Sequence, residues 1–337
     1  MKEKALDLAD PAWLPHRYDE QSDQVRFLHC HRAVRAAVPF LTDEHLAASP
    51  LAMADRRALA AHGPGGRTAF IFHSAYCCST LLTNVFDIAG AAHALKEPQI
   101  LNDMVGWRHR GADPAAVRRM LNESLALLAR PFEPKEVTVI KPSNVVNGLA
   151  SAMLTLRPDS TAIMLYAPLT IFLTSIARKG MWGRLWVREL LSRQLVDGMV
   201  DLGFEPRDFL LHTDLQAAAV GWLAQQRLFA ALLAKWPDRL RSLNSETLIA
   251  QPAEAVAAAA TLFGIGLSDA QLAATVATNF TREAKGGTAF APGQRKAEQR
   301  AGQAAHAEEI EKVAIWAAAV AERATVPMEL ALPLLRA

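Results

Sequence analysis

Cysteine is scarce: the 337 residues hold three, Cys30, Cys77 and Cys78, two of them adjacent. That number and spacing make no disulfide framework, so a reduced, cytoplasmic chain is expected. An excess of one charge is also missing. Lys plus Arg is 36 and Asp plus Glu is 34, a formal charge of +2, which calls for no nucleic-acid partner and no anionic membrane. Charges at Lys2, Glu3, Lys4 and Asp7 precede any apolar stretch, so no secretory signal is expected. One long uncharged run, Ser160 to Ala177, is broken by Pro168. Its Ile163-Met164-Leu165-Tyr166 reads as a buried strand ahead of a helix, not a membrane span. There is no H-E-x-x-H metal motif and no G-x-S-x-G nucleophile elbow. G-x-x-x-x-G-K-[ST] is absent too, and no Lys adjoins Ser79-Thr80, which disfavours ordinary ATP or GTP hydrolysis. No metal-ligand cluster is visible, and no metal is expected.

What is present is globular: 51% hydrophobic and 21% charged residues exclude a disordered chain and can build a sizeable core. Five apolar runs have strand length: Thr68 to Phe72, Val137 to Ile140, Ala162 to Tyr166, Phe209 to His212 and Leu240 to Leu243. Helical patterns fall at Val25 to Val38, Leu81 to Ala89, Ala115 to Leu128, Val220 to Trp236 and around Ile310 to Val320. Alternating strands and helices predict an α/β fold, three layers with a mostly parallel central sheet flanked by helices. The turn Gly63-Pro64-Gly65-Gly66 divides a mostly helical N-terminal extension (1–66) from the main domain (67–290), and a C-terminal helical segment (291–337) is expected to pack on that domain.

Ligands of such folds bind at the carboxyl ends of the strands. The first central strand runs into His73-Ser74-Ala75-Tyr76-Cys77-Cys78-Ser79-Thr80 and then an apolar helix. Small residues let that turn curl and present successive backbone N–H groups to an anion, with hydroxyls from Ser79 and Thr80. Adjacent cysteines also suggest a cysteine-phosphatase loop, but that chemistry needs an Arg on the loop, where Thr83 and Asn84 stand.

Cys77-Cys78-Ser79-Thr80-Leu81-Leu82 resembles the end of the donor loop of the PAPS-dependent sulfotransferases and their bacterial relatives. Tyr76 stands at the family's basic position and Cys78 at its Gly. Val139-Ile140-Lys141-Pro142-Ser143 resembles the strand followed by Lys and a catalytic His, with Lys141 kept and Ser143 replacing the His. Leu165-Tyr166-Ala167-Pro168 through Ser175 resembles the 3′-phosphate segment, with Ala167 in place of Arg and Ser175 kept. Asn244-Ser245-Glu246-Thr247-Leu248 with Pro252 resembles a late family segment. The resemblance implies a P-loop-type fold that takes PAPS as co-substrate and moves a sulfuryl group to a hydroxyl or amine of a small-molecule acceptor.

On that reading the donor is held by Tyr76, Cys77, Cys78, Ser79, Thr80, Leu81, Ser175, Arg178, Lys179 and Lys285. Lys141 is the catalytic cation, and Glu97 and His73 are the candidate proton acceptors. Plainer roles stand beside these: a solvated loop Lys141, a Ser175 that is merely polar early in a helix, a surface Lys285, a structural Glu97, a packed strand-end His73. Glu246 reads as a structural carboxylate at a helix start, capping backbone N–H groups, and Trp182 with Trp186 as core or as the wall of an acceptor pocket. Two other readings stay open. One is a nucleotide-binding or interaction protein that kept the fold and lost the reaction, because Tyr76, Ser143 and Ala167 depart from the pattern. The other is an atypical P-loop kinase.

Overall fold

The computed structural model describes residues 5–59, 63, 65–281, 300, 302 and 304–335. In chain order the first elements are β1 (Trp13–Asp19), β2 (Gln24–His29), α1 (Arg32–Ala37), α2 (Asp43–Leu46), β3 (Leu51–Asp55) and α3 (Arg56–Leu59). Next come β4 (Thr68–His73), α4 (Ser79–Asn84), β5 (Ala92–Lys96), α5 (Ile100–His109), α6 (Pro114–Leu128), β6 (Val137–Lys141), a 3-10 helix (Asn144–Leu149) and α7 (Ala150–Leu156). Then follow β7 (Thr161–Tyr166), α8 (Leu169–Arg178), α9 (Gly180–Val196), α10 (Asp208–Leu211), α11 (Asp214–Lys235) and β8 (Leu240–Asn244). Last are α12 (Ser245–Ala250), α13 (Pro252–Phe263), α14 (Asp269–Phe280) and α15 (Ala307–Arg323).

The fold is α/β. Five strands in the order β5-β6-β4-β7-β8 form a parallel central sheet flanked by helices. The strands β4, β5 and β6 are buried at every position, as continuous apolar runs covered on both faces must be. Register is set by Ala69↔Val139 between β4 and β6, and by Lys96↔Lys141 between β5 and β6. The chain divides into two compact units, Met1–Phe72 with Ser79–Ala162 and Val256–Thr288, and His73–Cys78 with Ile163–Ala255 and Ala289–Ala337.

In the first unit, residues 1–66 differ from the expected helical extension. They carry the antiparallel sheet β1-β2-β3. Val25 to Val38, expected to be helical, opens as β2 because Val25 and Phe27 are buried between half-buried Gln24 and Arg26, a period of two. Only Arg32–Ala37 of that stretch is helical. Arg130 reaches back to this layer, donating to the carbonyls of Leu8, Asp10 and Trp13. The carboxylate of Glu136 is wholly buried and satisfied by the N–H groups of Gly90, Phe132 and Glu133 and by the Arg32 guanidinium. Burial without such partners would leave a costly lone charge.

The second unit is built around α11, which begins at a Thr213/Gln216 capping box, six residues before the apolar stripe read from the sequence. Among the described residues α11 is the one helix long and apolar enough to cross a membrane, and 72% of that window is buried inside the protein. Ser160 to Ala177 resolves into β7 and α8, as the sequence indicated. Phe209 to His212, expected as a strand, is the short helix α10. The Glu205 N–H donates to Asp208 (2.8 Å), closing a turn, and Phe209 packs on Phe204. Beside β8, residues 330–334 run parallel: Ser242 N–H donates to Leu332 O (2.9 Å) and Leu334 N–H to Ser242 O (2.7 Å).

Candidate functional site

The loop after β4 is held in an unusual backbone. Ala75, Tyr76 and Cys78 have φ of 69°, 51° and 62°, in the left-handed region. For a non-glycine residue this costs about 1–2 kcal/mol each. The loop is therefore fixed by what surrounds it. Ser74 N–H donates to Leu165 O (3.1 Å), the Ala167 N–H donates to Ser74 Oγ (3.2 Å), and the Ala75 N–H donates to His73 Nδ1 (3.1 Å). Successive amides turned by left-handed residues form anion-binding concavities. Cys78, where the resemblance places Gly, adopts a positive φ that favours Gly over other residues.

Helix α4 starts at Ser79 and ends at Asn84, shorter than the Leu81 to Ala89 helix read from the sequence. Six residues lend little dipole, so an anion here would depend on the loop amides. Ser79, Thr80 and Leu81 are buried in the first turn, and the Thr83 hydroxyl donates to Ser79 O (2.7 Å). Cys77 is fully buried, and Cys78 is half-buried. Tyr76 is half-buried, and burial pushes its phenol up to about 12. It stays neutral, so the position where the resemblance places a basic residue contributes no charge.

Ala167 is fully enclosed. Its carbonyl accepts from Trp222 Nε1 (2.9 Å) while its N–H holds Ser74. An Arg side chain has no room there. Ser143, where the resemblance places a His, caps the 3-10 helix by accepting from the Val145 N–H. Ser175 spends its hydroxyl proton on Ile171 O (2.8 Å), one turn back along α8. Arg178 and Lys179 are exposed at the C-terminal end of the same helix. Lys285 lies outside the described residues.

On the first unit, Lys141 ends β6 and is wholly buried, whereas a solvated loop Lys was the alternative. Its ammonium forms an ion pair with Glu97 and lies 5.2 Å from the centroid of the Phe40 ring. Glu97 reaches it because its own φ is 55° and its N–H donates to Lys141 O (2.7 Å), turning the chain sharply after β5. Glu97 thus pairs with Lys141 and not with its neighbour Lys96. The in-register Lys96 donates to Ala36 O (2.9 Å). Burial lowers Lys96 to about 8, with Asp87 opposing the shift and Lys141 adding to it. Ser74, Phe40 and Lys96, which contact or neighbour the candidate residues, were not singled out in the sequence. The strand register carries a signal for Lys96, since it and Lys141 both end buried parallel strands. Ser74 and Phe40 act through contacts that no motif encodes.

Behind the loop stand two tryptophans of α9. The Tyr76 ring meets Trp186 edge-on (5.6 Å), and Trp186 lies parallel to Trp182 (6.4 Å, 10°). Trp182 is 61% exposed and so is not core. Asn244, not Glu246, caps α12, accepting from the Glu246 N–H. Among the described residues no group of three or more His, Cys, Asp or Glu is placed to hold a metal ion.

No family model matches the chain, and no curated protein sequence does. Solved structures do. The sulfotransferase domain of the Synechococcus PCC 7002 olefin synthase aligns with 68% of this chain and 82% of its own, at 10% identity and a TM-score of 0.41. Sulfotransferase STF9 from Mycobacterium avium aligns with 74% and 77%, at 12% identity and a TM-score of 0.42. The sulfotransferase from Alicyclobacillus acidocaldarius aligns with 64% and 92%, at 13% identity and a TM-score of 0.35. Each of these solved chains is a bacterial sulfotransferase or sulfotransferase domain.

Proposed function

We infer that the protein is a PAPS-dependent sulfotransferase of the cytoplasm acting on a hydroxyl or amine of a small molecule. The observation that carries this reading is the left-handed loop Ala75 to Cys78 between a parallel strand and Ser79-Thr80, in a segment that resembles the family's donor loop. Loop amides and the hydroxyls of Ser79 and Thr80 would bind the phosphosulfate, and Ser175, Arg178 and Lys179 the 3′-phosphate. Ser175 would have to turn its hydroxyl from Ile171 to do so.

Sulfuryl transfer needs in-line geometry and cations on the oxygens that gain charge. The acceptor oxygen or nitrogen bonds to sulfur as the bridging S–O bond breaks, and the electron pair leaves on the phosphate oxygen. Lys141 is the cation that the resemblance assigns to that oxygen. Its present partner explains how a proton acceptor arises. When the donor anion takes Lys141, Glu97 loses its counterion and is released to accept the acceptor's proton. His73 is a poorer candidate, because its Nδ1 already accepts from the loop. It positions the turn. A second reading, binding without transfer, is favoured by neutral Tyr76, capping Ser143 and enclosed Ala167.

A thermal-shift panel of PAPS, PAP, ATP and ADP tests this. PAP at a hundredfold above its Kd is expected to stabilise by about 2.7 kcal/mol, a shift of several degrees. In a Lys141→Met, Glu97→Gln pair, which leaves no lone carboxylate, the shift is expected to vanish with the fold intact. Response to ATP with Mg²⁺ but not to PAP would favour the kinase reading. Silence towards all four would end the nucleotide proposal. PAP binding without turnover of PAPS on any acceptor supports the second reading.

A further inference from the structure

Two groups hold the buried Lys141 ammonium, and they differ in kind. Glu97 is a charge that the proposed reaction takes away, when the donor anion replaces it. The other is the Phe40 ring. The ammonium lies over it, 5.2 Å from the centroid, inside the reach of a cation–π contact, about 6 Å. An aromatic face attracts a cation, yet it accepts no proton and carries no net charge, so a donor anion does not displace it. Lys96, in register with Lys141 on β5, is a like charge and pushes the other way.

The ring comes from the N-terminal layer, and its place is fixed from both sides. Pro39 keeps Val38 out of the helical region, at φ −96° and ψ 147°, which ends α1 and turns the chain back towards β5. From there the segment is tied to the carboxyl end of β5 and the turn after it. Lys96 Nζ donates to Ala36 O (2.9 Å), Leu41 N–H to Lys96 O (2.8 Å) and Asp43 N–H to Gln99 Oε1 (2.9 Å). The Asp43 carboxylate accepts from His16 and Arg17 of β1 and from Arg26 of β2, which joins the segment to the antiparallel sheet. His45, hydrogen-bonded to Thr42 (2.8 Å), meets the Phe40 ring at 79°. The ring therefore stands still whether or not Glu97 is engaged.

We propose that Phe40 is the positioning residue of Lys141: its ring keeps the ammonium at the end of β6 while Glu97 gives way to the donor anion. The inference rests on the reading that Lys141 meets that anion, and adds that the N-terminal layer is a working part of the site. Without the ring, an ammonium released by Glu97 and pushed by Lys96 would swing on its flexible four-carbon stem. Holding it for the donor would then cost side-chain entropy at the moment of binding.

Calorimetric titration of the full chain with PAP tests the proposal. Phe40→Leu, which keeps an apolar side chain and loses the aromatic face, should weaken PAP by about threefold to thirtyfold. Phe40→Tyr should restore most of the loss. The sharper arm puts phenylalanines carrying one, two or three ring fluorines at position 40. Fluorine drains the negative face with little change of shape, so affinity should fall with each fluorine and approach that of the Leu variant. This arm keeps the test decisive if Phe40→Leu folds poorly. A wild type that binds PAP, beside a fluorinated series that binds it equally well, overturns the positioning role alone and leaves Phe40 as a space-filling residue. A wild type that does not bind PAP overturns the nucleotide reading and this role with it.

Discussion

Replacing Ala167 with Arg is expected to unfold the protein or bring it close to unfolding. It is not expected to restore the basic residue that the resemblance places there. Ala167 has no solvent exposure, and both its backbone groups are committed, to Ser74 Oγ and to Trp222 Nε1. Overpacking a filled site costs about 1–3 kcal/mol. A guanidinium without a counterion adds several kcal/mol more. The total approaches the whole stability of a typical domain, about 5–15 kcal/mol. The damage should reach the loop, because the Ala167 N–H and the Leu165 carbonyl are what pin Ser74. The urea midpoint is the readout, with Ala167→Ser as the size-tolerant control. A stable Ala167→Arg protein that binds PAP more tightly than the wild type would show that the site opens and that the Trp222 contact is dispensable.

A steep acid limb is the second large effect. His93, on β5, is buried, and its Nε2 has no hydrogen-bond partner. Burial first, then Arg35 and Arg32, holds its pKa down at about 3 against an ordinary 6.5. Above pH 6.5 the ring is neutral in both folded and unfolded chains, and pH has no leverage through it. Below 6.5 the unfolded chain takes up a proton that the folded chain refuses, so stability falls as pH drops towards 3. The slope at full effect is about 1.4 kcal/mol per pH unit. The neighbouring carboxylate Glu136, 3.9 Å from Nδ1, already serves Arg32, so it does not rescue the imidazolium. Guanidinium unfolding between neutral pH and about 5 measures the limb. His93→Phe should flatten it. An unchanged slope in that variant would assign the acid sensitivity to another group.

The central sheet was legible because β4, β6, β7 and β8 are apolar runs of strand length, and a strand covered on both faces has little other way to read. Two of the misreadings have one cause. Val25 to Val38 and Phe209 to His212 are short mixed segments where helix and strand periods overlap. Tertiary contacts decided between them: pairing with β1 and β3 in the first case, the Phe209 anchor in the second. The site was legible where chemistry attaches to one residue, as at Lys141, buried at a strand end. It was not legible where a role needs two distant residues. The partnership of Lys141 with Glu97 depends on strand register and on one left-handed φ, and neither is written in a motif.

One feature at the far margin of the sheet bears on how the protein behaves in a test tube. The stretch 330–334 occupies the outer hydrogen-bonding row of β8, and the Ser242 hydroxyl also donates to Ala331 O (2.8 Å). An uncovered row there would recruit strands from other molecules. Trimming the chain at residue 329 should therefore show first as turbidity and short shelf life of concentrated stocks, well before any loss of melting temperature.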